Sequence, residues 1–459
     1  MIPVVTPAEM AAIDAAASES VDALVERAGA AVARAALDEM GGAYGRRVVV
    51  VAGPGSNGAD GRVAAQRLAL RGVRTTVIDA AAAPARLPTA DLVIDAAYGT
   101  GLRRPYEAPG TDAPVLAVDL PSGVDGLTGC VLGHPARAVR TITFAALKPG
   151  LLFGEGPRLA GRVEVADIGL DVSSADVAVV EDADMRVLVP PRPPSAHKWQ
   201  SACWVIAGSP GMEGAAQLAA TAAQRAGAGY VRLSVPGASA PTTPVEVVGH
   251  PIDPGLLVGT GELERFASVV VGPGLGTAVD TVAGVLRLVS RATGPMVVDG
   301  DGLTALAGGS ALEQRRGIGP GAPPLVLTPH DGEFERLTGG RPGSDRIVAA
   351  RALAVTANAV VLLKGPTTVV AAPDGRVLLV TSGDQRLATA GTGDVLAGMI
   401  GAILARGADP LGAAAAAAHI HGLIAAAGPE TGVVAGDLPA LLVARLEALG
   451  VDGAGRGAG

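Results

Sequence analysis

The sequence predicts an α/β protein with two layered domains, and three observations support this fold class. The chain has 459 residues, which is too long for one ordinary hydrophobic core. Hydrophobic residues make up 49% of the chain and aromatic residues only 2%, so the cores must be close-packed layers of Val, Leu, Ile and Ala. Short apolar runs that end in polar or glycine-rich loops, each followed by a helical pattern, recur along the chain.

Composition and charge exclude several classes of partner. The chain has 36 Lys and Arg residues against 44 Asp and Glu residues, a net charge of −8, and no basic run that would follow a nucleic-acid backbone. Glu9 and Asp14 lie where a signal peptide would be basic and then apolar, and no apolar run is long enough to span a membrane. We therefore expect a cytoplasmic homo-oligomer that acts on small molecules, without a nucleic-acid or membrane partner.

The first half of the chain has the strand–loop–helix pattern of a doubly wound sheet. Thr6 and Glu9 predict a helix start closed by a capping box. Residues 47–52 form a predicted buried strand, which opens into a glycine-rich loop at residues 53–61 before a helical pattern resumes at Arg62. Such a loop between a strand and a helix is typical of nucleotide-binding sheets.

Polar residues follow the next strands at the points where these strands end. Because the carboxyl ends of parallel strands meet at one crevice, we expect Asn57, Asp95, Asp119 and Ser122 to converge there. Oxygen ligands of this kind suit a hard cation. A later strand brings Lys148 to the same edge, where it would pair with a substrate phosphate or with Asp119.

The loops at residues 53–61, 99–101, 119–125 and 148–150, with Asp95, resemble those of the NAD(P)H-hydrate epimerase domain. The resemblance implies a Rossmann-like three-layer domain, residues 1–182, that binds potassium and interconverts the two epimers of hydrated NAD(P)H. The implied potassium ligands are Asn57, Asp95 and Ser122. The implied hydrate-binding residues are Ser56, Asn57, Gly58, Ala59, Asp60, Gly99, Thr100, Gly101, Leu102, Arg103, Arg104, Pro105 and Asp119. We predict catalytic roles for Asp119 and Lys148. The family loop usually reads N-N-G-G-D-G, and this chain departs from it at Ser56 and Ala59.

A proline-rich connector at residues 189–194 precedes a second series of strands and loops. These strands are predicted at residues 203–208, 269–271, 296–298, 325–327 and 359–363. The crevice edge of this second sheet is again the expected working face. Lys364, Thr367 and Thr368 follow the last of these strands and suit nucleotide phosphates by their side-chain types. No G-x-x-x-x-G-K-[ST] motif follows the first strand, so a P-loop enzyme is excluded.

The stretch at residues 387–398 carries the strongest chemical signal in the second half. Gly391 and Gly393 lead directly into an apolar helical pattern, so bare N–H groups and the positive end of a helix are expected together. Asp394 lies at the same helix start. Such an anion pocket beside a carboxylate suits phosphoryl transfer to a hydroxyl group. The alternative interpretation is a helix N-terminus with an ordinary aspartate cap.

The histidines and cysteines do not predict a metal site. His330 follows a predicted strand and is the histidine most suited to a ligand site. His419 and His421 lie two residues apart on a predicted helix and therefore point to different sides, which disfavours a shared metal. Cys130 and Cys203 match no metal-ligand spacing, and we expect both to be buried thiols.

The loops at residues 272–276, 327–337 and 363–368 and the run 388–398 resemble the ribokinase-like superfamily, and within it the ADP-dependent NAD(P)H-hydrate dehydratase. The resemblance implies a ribokinase-like three-layer α/β domain, residues 183–452, followed by a flexible tail, residues 453–459. ADP, with Mg²⁺, would phosphorylate the hydroxyl of the hydrate before phosphate is expelled. The implied nucleotide-binding residues are Lys364, Gly365, Pro366, Thr367, Thr368 and Gly393. The implied hydrate-binding residues are Gly274, Gly276, His330 and Asp394, with Asp394 also the catalytic base. In the turn at residues 299–303 this chain has glycines where relatives usually have alanines.

Together the two resemblances imply repair of hydrated NAD(P)H, by epimerisation in the first domain and ADP-dependent dehydration of the S hydrate in the second. One alternative is a ribokinase-type small-molecule kinase with an accessory nucleotide-binding domain. The other is a nucleotide sensor or scaffold without catalytic activity. Formation of AMP and free phosphate from ADP would distinguish repair from both alternatives.

Overall fold

The computed structural model describes residues 1–102, 104–256, 258–307, 311–312 and 321–451. Arg103 and the predicted tail at residues 453–459 therefore lie outside the described residues. Contacts along the chain divide it into two compact units, which we call the N-terminal unit (Ile2–Val177) and the C-terminal unit (Ala178–Gly459, with Met1). The domain boundary between residues 182 and 183 stays a prediction.

The N-terminal unit is built on a six-stranded parallel sheet with the strand order β3-β2-β4-β6-β8-β9. A short parallel pair, β5 and β7, lies apart from it. The elements in chain order are β1 (Ile2–Val4), α1 (Pro7–Ala16), α2 (Val21–Met40), β2 (Arg47–Ala52), α3 (Ser56–Ala69), β3 (Arg74–Asp79), β4 (Leu92–Ala96), β5 (Tyr106–Glu107), β6 (Val115–Val118), β7 (Gly133–His134), β8 (Arg140–Phe144), α4 (Gly156–Ala160) and β9 (Arg162–Ala166). The capping box predicted for Thr6 and Glu9 is confirmed at the start of α1.

Alternate residues of the central strands enter two different cores. Val48 and Val50 of β2 pack in a cluster with Val32 of α2, whereas Val49 and Val51 enter a second cluster on the other side. Because both faces are covered, these strands are continuous apolar runs without polar alternation. The result is the three-layer arrangement that the sequence predicted.

The glycine-rich loop predicted at residues 53–61 is shorter than expected, since α3 already begins at Ser56. The glycines inside α3 serve close packing of the helix. A Cβ atom at Gly58 would lie 1.9 Å from the carbonyl oxygen of Gly53, and one at Gly61 would lie 2.5 Å from the Cβ of Ala96. The sequence prediction of a loop was therefore wrong for residues 56–61, because these glycines bring a helix close to the sheet.

The C-terminal unit contains a mixed sheet in which nine described strands follow the order β19-β18-β17-β16-β15-β14-β11-β12-β13. The strands from β17 to β13 are parallel, and β18 and β19 are antiparallel to their neighbours. The elements in chain order, from β10 at the unit boundary, are β10 (Val177–Val179), α5 (Met185–Leu188), β11 (Ala202–Ile206), α6 (Glu213–Arg225), β12 (Tyr230–Ser234), β13 (Val248–Gly249), α7 (Thr260–Leu263), β14 (Ser268–Val271), α8 (Val279–Ser290), β15 (Met296–Val298), α9 (Asp301–Leu306), β16 (Leu325–Leu327), α10 (Asp331–Thr338), α11 (Arg346–Ala357), β17 (Val360–Leu363), β18 (Thr368–Ala371), β19 (Val377–Val380), α12 (Thr392–Ala405), α13 (Pro410–Ala426) and α14 (Leu438–Ala448).

The helices α12 and α13 are buried on almost all sides, which explains their alanine- and glycine-rich sequences. A Cβ atom at Gly398 would lie 2.1 Å from the carbonyl oxygen of Ala219 in α6, so the two helices approach closely at this point. Cys203 is buried in β11, as predicted. The same prediction was wrong for Cys130, which is exposed because it lies in a turn whose backbone bonds to Asp125 and Thr128. Among the described residues, we find no helix that combines the length and the apolar character needed to cross a bilayer.

Candidate functional site

The first candidate site lies at the carboxyl ends of β2 and β4 in the N-terminal unit. The chain leaves β2 towards β3 on one side and returns to β4 on the other, which is the switch point where open α/β sheets bind ligands. A cleft of about 500 Å³ opens at this point. Of the predicted site residues, those lining the cleft are Ser56, Asn57, Asp60, Gly99, Thr100, Gly101, Leu102, Asp119 and Lys148. Gly58, Ala59, Arg104 and Pro105 are not among its lining residues in the described part of the chain.

A buried ion pair lies at the floor of this cleft. The Nζ of Lys148 lies 2.8 Å from Oδ1 of Asp119, and Lys148 is 1% exposed. The ammonium also donates to the hydroxyl of Thr143 and to the carbonyl of Phe144, at 2.9 and 3.0 Å. Of the two pairings that the sequence left open for Lys148, the structure shows the one with Asp119. Asp119 has a φ of 66°, a left-handed conformation that aspartate tolerates better than most residues.

Two further carboxyl groups face the same cleft. Burial raises the pKa of Asp60 to about 8, and the negative charges of Asp119 and Asp14 contribute to the rise. Burial also raises the pKa of Asp14, which is part of α1. Asp60 is therefore mostly protonated at neutral pH, so the cleft holds a neutral carboxylic acid beside an ion pair. Sequence reasoning missed Asp14, because nothing in the pattern of α1 indicates that one of its polar residues faces the carboxyl end of a sheet.

Asp95 and Ser122, two of the three predicted potassium ligands, lie in direct contact. The carboxylate of Asp95 accepts from the hydroxyl of Ser122 at 2.6 Å and from its N–H at 2.9 Å. Asn57 lines the cleft, and its side-chain nitrogen and oxygen are both buried without a hydrogen-bond partner among the described residues. An amide that is buried in this way costs stability unless a ligand satisfies it. Asp95 and Ser122 are not among the residues that line the cleft with Asn57, so a potassium site shared by all three stays a prediction.

The second candidate site lies at the carboxyl ends of β15, β16 and β17 in the C-terminal unit. Asp299 follows β15 and is 2% exposed, Thr328 follows β16, and Lys364 follows β17. The Oδ1 atom of Asp299 lies 2.6 Å from the Nζ of Lys364 and accepts from the Thr328 hydroxyl at 2.7 Å. Burial lowers the pKa of Lys364, but the charges of Asp299 and Glu333 outweigh it and raise the pKa overall. Lys364 is therefore a permanent positive charge at this edge of the sheet.

The start of α12 reaches the same cluster. Gly391 caps the helix with a φ of 90°, and the first N–H groups of the helix have no acceptor within it. A Cβ atom at Gly393 would lie 3.3 Å from the Nζ of Lys364, so the lysine and the helix mouth form one anion-binding corner. Burial raises the pKa of Asp394 to about 6; the charge of Asp299 adds to the rise, and that of Lys364 opposes it. Asp394 is half-buried at the helix start and does not cap it through its side chain, which disfavours the alternative of an ordinary cap.

The other residues predicted to bind the hydrate, His330, Gly274 and Gly276, lie in neighbouring loops. The imidazole of His330 accepts from the N–H of Gly332 at the start of α10, and 54% of its side chain is exposed. Gly276 donates its N–H to the carboxylate of Asp301 at 2.8 Å, which fixes the loop after β14 against the turn after β15. Both Gly274 and Gly276 have positive φ values, 61° and 73°.

His421 was not predicted to take part in this site. It is buried within α13, and the backbone of Thr392 at the start of α12 is among the groups that affect its pKa. Burial and the charge of Lys364 lower its pKa to about 4, so it stays neutral beside the lysine. His419, two residues earlier, contacts Asp182 instead, at 2.7 Å. Only the fold reveals that one of these two histidines supports the anion-binding corner.

Each of the two layered α/β units gathers charged side chains at the carboxyl ends of its parallel strands, which is where enzymes of the α/β class bind small molecules. Sequence comparison then assigns the chain, since the profile of the family NAD(P)H-hydrate dehydratase matches residues 203–447 and that of the YjeF-related protein N-terminus matches residues 21–87 and 76–150. The chain belongs to the family of bifunctional NAD(P)H-hydrate repair enzymes.

Individual relatives cover most of the chain. The bifunctional NAD(P)H-hydrate repair enzyme of Salinibacter ruber is 38% identical over 88% of this chain and 87% of its own length. That of Mycobacterium tuberculosis is 41% identical over 82% of both chains. A ribokinase-like superfamily protein of Enterococcus faecalis matches with a TM-score of 0.50 and 21% identity, over 60% of this chain and 96% of that protein. The ribokinase-like fold predicted for the C-terminal unit is therefore confirmed.

Proposed function

We propose that this chain repairs hydrated NADH and NADPH by two reactions in its two units. The N-terminal unit interconverts the R and S epimers of the hydrate. The C-terminal unit dehydrates the S epimer with ADP and releases AMP and phosphate. The observation that supports this function most is the anion-binding corner formed by the start of α12 and Lys364, with Asp394 beside it.

Dehydration needs a better leaving group than hydroxide, and this corner suits the step that makes one. Asp394 takes the proton of the hydrate hydroxyl while the hydroxyl oxygen bonds to the terminal phosphorus of ADP. The bond from that phosphorus to AMP breaks, and the N–H groups at the start of α12 with Lys364 hold the transferred phosphoryl group. The carbon–oxygen bond then breaks, phosphate leaves, and loss of a proton from the adjacent carbon restores the ring double bond.

Mg²⁺ would reach this site together with the phosphates of ADP. In the part of the chain that the structure describes, no three His, Cys, Asp or Glu side chains are placed to hold a metal ion. Magnesium is commonly held by substrate phosphates with one or two carboxylates. Asp299 and Glu333, which lie close to Lys364, are carboxylates suited to that purpose.

In the N-terminal unit, the cleft at β2 and β4 would hold the hydrated ring. Asp119 and Lys148 lie at its floor, and the protonated Asp60 provides a group that can donate to a departing or entering oxygen. Potassium, where bound, would be held by Asn57, Asp95 and Ser122, and its positive charge would stabilise the loops that shape the cleft. The unpartnered amide of Asn57 supports this assignment.

Removal of potassium is expected to slow epimerisation. Replacing potassium by choline in the buffer should lower the epimerisation rate at least about tenfold, because Asn57, Asp95 and Ser122 lose the cation that they would hold. The Asn57→Ala variant should be slow in both buffers. Dehydration of purified S hydrate provides the internal control and should not change. Equal epimerisation rates with and without potassium would contradict the assignment.

The dehydration rate is expected to depend on pH through Asp394. A base accepts a proton only when ionised, and the pKa of Asp394 is about 6. The kcat of dehydration should therefore rise about tenfold per pH unit below this value and become constant above about pH 7. Steady-state rates between about pH 5 and pH 8 would test this, with unfolding followed in parallel. A kcat that is constant through the whole range would argue against Asp394 as the base.

The proposed function is tested by identifying the products made from nucleotide. Purified protein is incubated with S hydrate and ADP·Mg²⁺, and the products are separated by chromatography. Stoichiometric AMP, phosphate and reduced cofactor are expected. A stable phosphorylated product, made from ATP and not converted further, would show a ribokinase-type kinase instead. Nucleotide binding without any turnover would show a sensor.

A further inference from the structure

Arg346 contacts two segments of the second candidate site: the start of α10 and the loop that begins at Lys364. One guanidinium nitrogen, Nη1, lies 2.9 Å from Oδ1 of Asp331, the first residue of α10. The other, Nη2, donates to the carbonyl of Lys364 at 2.7 Å. The side chain is 15% exposed. A Cβ atom at Gly365 would lie 2.9 Å from Nη2, so a glycine at this position lets the arginine reach the loop.

The stability of its own helix does not explain an arginine at this position. Arg346 is the first residue of α11, where the positive end of the helix disfavours a cation. Its Nε atom is also buried without a hydrogen-bond partner among the described residues, which costs free energy. The contacts of the Arg346 guanidinium lie outside its helix, to Asp331, whose side chain is 49% exposed, and to the carbonyl of Lys364.

We propose that Arg346 is a positioning residue of the dehydration site, which fixes residues 364–368 relative to the start of α10. The inference rests on the proposed function, in which residues 364–368 bind the nucleotide and His330, the N-cap of α10, contacts the hydrate. Both partners of Arg346 belong to these two segments: Asp331 is adjacent to His330, and the Lys364 carbonyl begins the nucleotide loop.

Phosphoryl transfer requires the hydroxyl oxygen of the hydrate and the terminal phosphorus of ADP to approach within a narrow range of distances. Displacement of one reactant by about 1 Å can cost about a hundredfold in rate. Arg346 joins the two segments through one side chain, with an ion pair on one side and a hydrogen bond on the other. Binding of nucleotide and positioning of the hydrate are thereby coupled. Arg346 itself need not contact either reactant.

The test compares Arg346→Ala, Arg346→Lys and Asp331→Asn for kcat, KM of ADP and KM of the hydrate in dehydration. Arg351→Ala is the matched control, because Arg351 lies on the same helix and donates to a backbone carbonyl, that of Gly375, at 2.8 Å. We expect Arg346→Ala to raise the KM of ADP and to lower kcat, each by about tenfold. Arg346→Lys should recover part of the loss, since an ammonium reaches only one of the two partners. Adding Asp331→Asn to Arg346→Ala should have no further effect, because the ion pair is already broken.

Kinetic constants of Arg346→Ala that equal those of Arg351→Ala, with a change only in melting temperature, would overturn the inference. If Arg346→Ala does not fold, the kinetic constants of Arg346→Lys and Asp331→Asn are compared with those of Arg351→Ala instead. A wild-type protein that forms no AMP from ADP and hydrate would instead refute the proposed function. Normal wild-type turnover with unaffected Arg346 variants refutes only the role of Arg346.

Discussion

Asp394→Asn is expected to abolish ADP-dependent dehydration, with kcat lowered by about a thousandfold, because the amide cannot accept the proton of the hydrate hydroxyl. The protein should stay folded. Burial already disfavours the charged form of Asp394, whose pKa rises to about 6, and the neutral amide avoids that cost. Dehydration is measured as the return of the ultraviolet absorbance of the reduced nicotinamide after addition of ADP.

The control for Asp394→Asn is the epimerisation activity of the same purified variant. Epimerisation should proceed at the wild-type rate, because Asp394 lies in the C-terminal unit and the cleft for the ring lies in the N-terminal unit. Equal loss of both activities in a folded protein would contradict the assignment of one reaction to each unit. Retained dehydration would show that another group is the base.

Asp119→Asn should have the converse effect, lowering epimerisation by about a hundredfold while dehydration of purified S hydrate continues. The variant removes the negative charge 2.8 Å from the Lys148 ammonium. Asparagine is the substitution best suited to this position, since it tolerates the left-handed backbone that Asp119 adopts with a φ of 66°. Epimerisation is followed by chromatographic separation of the R and S hydrates.

A second variant at the same ion pair tests its role in epimerisation independently. Lys148→Met removes the other partner and leaves the Asp119 carboxylate, 14% exposed, without its counter-ion, so it should lower both epimerisation and the melting temperature. Asp119→Asn should also lower the melting temperature, because the more deeply buried ammonium of Lys148 loses its counter-ion and keeps only its hydrogen bonds to Thr143 and Phe144. Unchanged epimerisation in both variants would exclude the ion pair from catalysis.

Much of the fold could be predicted because buried parallel strands are short, continuous apolar runs. The strands predicted at residues 296–298 and 325–327 have these bounds in the structure. The helix predicted after Gly393 begins two residues earlier, at Thr392. Loops at strand ends are equally predictable from the sequence, since glycines and carboxylates interrupt the apolar pattern. The start of α3 could not be predicted from glycines, because glycine is typical of loops and also of helices that pack closely. Gly58 and Gly61 belong to the second kind.

The candidate sites were predicted where their residues follow a strand or lie at the start of a helix. Lys364 and Asp394 belong to local patterns that indicate phosphate chemistry, and the structure brings them together at one corner. Asp14, Arg346 and His421 lie on helices without any such pattern. They reach the sites through tertiary packing, which a single sequence does not reveal.

The most direct measurement is incubation of the purified chain with a mixture of R and S hydrates and ADP·Mg²⁺. Two cooperating activities predict complete recovery of reduced cofactor, with AMP and phosphate formed in equal amounts. The Asp119→Asn variant should rapidly convert only the S hydrate to reduced cofactor. The Asp394→Asn variant should convert neither epimer. Wild-type conversion that stops when the S epimer is exhausted, or accumulation of a stable phosphorylated hydrate, would contradict repair by both units of this chain.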